Sequence, residues 1–185
     1  MKDGKKRKAR AEKSEPSKAT LSKNESTFAD AVAAAPQPVA ASLQKGKQAL
    51  SSTHRPQVQC KDEARWTGSI ELDEALKKEP DHATASRWDY GLGYKAPDGL
   101  ESALWVEVHP AETGEVPAVL KKLTWLKGYL PTSCPELWAL TRKTPEKLRF
   151  VWVASGRFAI LPNSPQMRAL RPAGLDPPVR RLLVP

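Results

Sequence analysis

The sequence predicts an α/β domain with a mixed central sheet flanked by helices, preceded by a disordered basic tail. Three observations carry that reading. Residues 103–109 (ALWVEVH) and 148–154 (LRFVWVA) are apolar runs rich in β-branched and aromatic side chains, the composition of buried strands. Between them Val116, Val119, Leu120, Leu123, Leu126 and Leu130 recur at helical spacing, and a strand–helix–strand order brings two strands into one sheet. All six tryptophans lie after residue 60, with Phe28 the only earlier Phe, Tyr or Trp, so the core is expected within residues 58–185.

Along the chain, residues 1–50 carry 11 Lys and Arg against 5 Asp and Glu. Their Lys-, Ser-, Ala- and Pro-rich composition buries too little apolar surface to offset backbone ordering, so residues 1–57 are expected to be disordered. Trp66, Ile70, Leu72, Ala75 and Leu76 fit a short amphipathic helix over residues 67–79, stopped by Pro80. Residues 84–94 (TASRWDYGLGY) read as a strand with a bulge or bend at Gly91 and Gly93. Pro97-Asp98-Gly99 is a turn, because Pro presets φ and Gly tolerates positive φ. In the following strand Leu104, Val106 and Val108 face one way, and Ala103, Trp105, Glu107 and His109 the other. The helix after it begins near Glu112, Glu115 and Pro117. Ser133 and Glu136 have the spacing of a capping box for a second short helix. Ser155-Gly156 is expected to turn the last strand into a hairpin with residues 157–161.

The formal net charge of +9 points to an anionic partner. No stretch approaches the ~18 uninterrupted apolar residues of a membrane span, and the basic start at residues 2–10 is not followed by the apolar run of a secretory signal. Two cysteines, Cys60 and Cys134, are too few for a disulfide scaffold or a four-Cys zinc site. A cytoplasmic protein without membrane attachment is the resulting expectation.

Chemistry concentrates where the hairpin folds back. Glu107 and His109, two apart on a strand, share a face, and the preceding strand brings Asp89 towards them. Two carboxylates at one sheet surface are hard oxygen donors suited to Mg²⁺ or Mn²⁺, and an adjacent imidazole can orient or deprotonate a water. An acid about 18 residues before Glu-x-basic, followed by a helix and a buried strand, resembles the PD-(D/E)XK nuclease superfamily. The residues that carry the resemblance are Asp89 in RWDYGL and Glu107-Val108-His109 in ALWVEVH, and it spans roughly residues 70–154. It implies a restriction-endonuclease-like fold that hydrolyses phosphodiester bonds of DNA or RNA with Mg²⁺ or Mn²⁺. Asp89 and Glu107 would be the metal ligands, and His109 would take the place of the usual lysine. It also implies a first-helix acid, for which Glu71 and Glu74 are available. Members of the superfamily show three meander strands before the second helix; this sequence shows two plainly.

Lys5, Lys6, Arg7, Lys8 and Arg10 form a cluster that neutralises phosphates with little sequence preference. Lys121 and Lys122 add charge to the polar face of the main helix. The alternative is a non-catalytic module on the same scaffold that binds nucleic acid or protein, with Glu107 facing solvent, His109 a wet strand end and Asp89 paired with Arg87.

Overall fold

The computed structural model describes residues 26–185, and its centre is a four-stranded mixed sheet. The regular elements are α1 (Phe28–Ala33), β1 (Val58–Cys60), β2 (Trp66–Glu71), α2 (Leu72–Leu76), β3 (Tyr90–Lys95), β4 (Glu101–Ala111), α3 (Val116–Ser133), α4 (Pro135–Lys143), α5 (Glu146–Arg149), β5 (Phe150–Phe158), α6 (Pro165–Leu170) and β6 (Leu182–Val184). The order β2-β3-β4-β5 is antiparallel, antiparallel, then parallel. The parallel pair β4–β5 exists because α3 and α4 carry the chain back across the sheet. A two-stranded parallel ribbon, β1–β6, brings the C-terminus beside residues 58–60.

The expected alternation of β4 decides the layering. Ala103 and Trp105 face a core shared with α1, α3 and α4, whereas Leu104, Val106 and Val108 face a second core shared with β1 and β6. The turn at residues 97–99 also forms as expected: Gly99 has φ +88° and Asp98 accepts a hydrogen bond from the Leu100 N–H at 3.0 Å. Among the described residues no helix is long and apolar enough to cross a membrane.

Five expectations are corrected. Residues 26–57 are folded rather than a disordered tail. Thr27 closes a capping box on α1, and Phe28, Val32, Val39 and Leu50 are buried. Only residues 1–25 of the expected tail lie outside the described residues. The segment expected as helix 67–79 is strand β2 followed by one turn of helix. Short apolar runs satisfy both periods, and pairing with β3 selects the strand, with Glu71 opposite Tyr90. The strand expected from residue 84 begins at Tyr90; Gly91 and Gly93 mark close packing, and the register shift of the β2–β3 pair lies across from Tyr94 and Gly93, between Trp66 and Gly68 of β2. A Cβ at Gly91 would come within 2.7 Å of the Trp105 ring, and one at Gly93 would overlap Phe28. At the C-terminal side, residues 157–158 continue β5, where Phe158 pairs with Ala111 instead of turning into a hairpin. The proposed Ser133 cap is absent as well: α3 runs to Ser133, and α4 starts with Pro135 in its first turn.

Candidate functional site

Asp89 is held by its backbone before its side chain does anything. Its carbonyl accepts from the Leu72 N–H at 2.8 Å and caps α2, while its own N–H donates to Glu107 Oε2 at 3.2 Å. In return the Val108 N–H donates to Asp89 Oδ2 at 3.0 Å. This exchange between the entry to β3 and the middle of β4 fixes one oxygen of each carboxylate and leaves Oδ1 and Oε1 pointing to a common place.

Lys122 of α3 occupies that place. Its Nζ donates to Asp89 Oδ1 at 3.1 Å and to Glu107 Oε1. Two hydrogen bonds to one nitrogen hold their acceptor oxygens within about 6 Å of each other. Glu107 has no exposed surface, whereas the Asp89 and Lys122 side chains remain about one-fifth exposed. Burial, and then the Asp89 charge, push the Glu107 carboxyl up to about 8, against the opposing pull of Lys122. The Lys122 ammonium is held above its ordinary value because the attraction of the two acids outweighs its desolvation.

His109 continues the cluster along β4. Its Nδ1 lies 3.7 Å from Glu107 Oε1, and its Nε2 lies 2.7 Å from Glu115 Oε2. Its backbone carbonyl accepts from Trp152 Nε1 at 3.0 Å, which anchors the strand beneath the ring. Glu71, at the end of β2, is half-buried, and burial followed by the charges of Glu74, Asp89 and Asp73 pushes its carboxyl up. Glu71 pairs with Tyr90, which in turn pairs with Val106, so it lies on the sheet face opposite Glu107 and the expected first-helix acid does not join the cluster. Glu74 turns away, bonding to Lys77 at 2.6 Å on the exposed side.

Of the residues singled out from sequence, Asp89, Glu107 and His109 come together as expected. The solvent-facing alternative for Glu107 is excluded by its burial, and Arg87 pairs with Asp73 at 3.0 Å rather than with Asp89. Lys122 is corrected from polar helix face to member of the acid cluster, while Lys121 stays exposed. Lys5, Lys6, Arg7, Lys8 and Arg10 lie outside the described residues. Sequence reasoning missed Glu115 as a partner of His109. The signal for Lys122 was present: on a helical wheel it falls between Leu126 and Tyr129, at the border of the buried stripe, and Lys121 lies about 100° further round.

The arrangement holds one cation, the Lys122 ammonium, between two acids and presents an imidazole steadied by Glu115. Comparison with protein-family models, curated proteins and solved structures finds no match.

Proposed function

We propose that this chain is a restriction-endonuclease-like nuclease that hydrolyses phosphodiester bonds of DNA or RNA with Mg²⁺ or Mn²⁺. The observation that carries the reading is the convergence of Asp89 and Glu107 on a single ammonium, at the junction where β3 meets β4. Three further features support it. The strand that the resemblance required and the sequence hid is β2, so three antiparallel strands precede α3 and a parallel strand follows it. Lys122 supplies from the helix a positive charge beside the two acids, where the resemblance expects a lysine. The whole chain carries a formal net charge of +9, which favours a polyanion.

The donors fit the metal. Asp89 and Glu107 offer hard oxygens, and Mg²⁺ is commonly held by one or two carboxylates with water and phosphate oxygens completing the shell. Among the described residues no group of three or more His, Cys, Asp and Glu is arranged to hold a metal ion; the proposed site rests on two carboxylates completed by water and phosphate oxygens. When bound, such an ion lowers the pKa of a water and offsets charge on the phosphate. Asp89 and Glu107 are the residues that would hold it. Lys122, moved off the two acids, would offer its positive charge to a phosphate oxygen, and His109, steadied by Glu115, would orient a water or hold its proton.

A second reading, a non-catalytic module binding nucleic acid or protein, draws on one observation: Glu107 is sealed and neutralised by Lys122. Cleavage separates the two. With Mg²⁺ or Mn²⁺, the wild-type chain is expected to cut plasmid or single-stranded substrate, and Glu107→Ala to lose at least ~10³-fold in rate. Equal rates for both proteins would reject the catalytic reading.

A further inference from the structure

The other oxygen of each acid is already committed. Asp89 Oδ2 accepts from the Val108 N–H and Glu107 Oε2 from the Asp89 N–H, so Oδ1 and Oε1 are the oxygens left for a cation, and Lys122 Nζ bonds to both. A divalent ion and the ammonium therefore compete for the same two atoms. Placing both cations there at once would set two positive centres within a few ångströms of each other in a largely buried site, where repulsion is weakly screened. The Lys122 stem is anchored on α3, with Val119, Leu123 and Leu126 buried around it, so the head can withdraw while the backbone stays in place.

From this geometry we infer that Lys122 is an internal cation that latches the acid pair shut, and that metal enters only by displacing it. The inference rests on the metal site of the proposed nuclease. The latch engages both acid oxygens in the apoprotein and weakens its affinity for bare divalent ions. A phosphate of the substrate is the natural acceptor for the displaced ammonium, so polyanion and metal load together.

Mn²⁺ alone is the probe. Titrated into the full-length chain and followed by calorimetry and by the EPR signal of free Mn²⁺, Lys122→Met is expected to bind about tenfold more tightly than wild type, or tighter still. Lys122→Arg, which keeps the charge, should stay within a few-fold of wild type. Should Lys122→Met fail to fold, Lys122→Gln carries the same comparison. Mn²⁺ bound by wild type and by the neutral variant with equal affinity overturns the latch and leaves the nuclease reading standing. No Mn²⁺ uptake by any of them, even with an oligonucleotide present, overturns both.

Discussion

A chain that begins at residue 58 is expected not to fold. The segment it lacks fills the centre of the domain. Phe28 lies over Gly93 and Gly68, where side chains are absent to admit it, and Val32, Val39 and Leu50 are buried with it. Each such side chain contributes roughly 1.5–3 kcal/mol by burial. Four of them together rival the ~5–15 kcal/mol of net stability that a domain possesses. Polar ties add to the loss: the Phe28 N–H donates to Glu101 Oε2 at 2.7 Å, the Ala49 N–H to Ser69 Oγ at 3.0 Å, and Gln44 pairs with Ser69 along the outer edge of β2. Circular dichroism and urea titration of residues 26–185 against 58–185 check this. The longer chain should unfold cooperatively and the shorter should show no transition; matching midpoints would contradict the fold described above.

Glu107→Gln is expected to flatten the dependence of stability on pH. In the folded chain the Glu107 carboxyl is raised from 4.5 to about 8 by burial and by Asp89. Between those two values the folded state binds a proton that the unfolded state has released, so stability falls as pH rises across that window. The wild-type contribution is fullest below pH ~4.5 and is lost by pH ~8, and the size of the shift corresponds to a change on the order of 5 kcal/mol. Lys122 has the same sign but acts only at high pH. Its raised value keeps its contribution until the pH passes above the ordinary lysine range. The amide cannot ionise, so urea midpoints of the variant from pH 5 to 8 should lack the fall that wild type shows. A variant with the wild-type slope would place the titration elsewhere.

How much of this was legible follows from range. The β4 pattern declared its two faces because period 2 is a local property, and with it came Glu107 and His109 side by side. The wheel of α3 marked its buried stripe for the same reason. What failed depended on partners distant in sequence. Residues 66–71 became a strand only because β3 lies beside them, and Phe28 became core because Gly68 and Gly93, 40 or more residues away, leave room for it. Residues 26–57 hold few large apolar side chains, yet Phe28, Val32, Val39 and Leu50 are buried and only Leu43 is exposed. An average over the segment concealed that. Within the site, the two acids were visible as residues, but the cation that joins them came from a helix turn whose lysine looked like solvent-facing charge. Glu115 was legible as a helix-start acid, a role that hides its bond to His109.

The most direct measurement of the account is Mn²⁺ occupancy in the presence of a non-cleavable oligonucleotide, read by EPR for wild type, Asp89→Asn and Glu107→Gln. The account predicts one ion per wild-type chain, weakened by at least ~10-fold in each variant. Occupancy unchanged by either substitution would place the metal away from the two carboxylates and contradict the assignment.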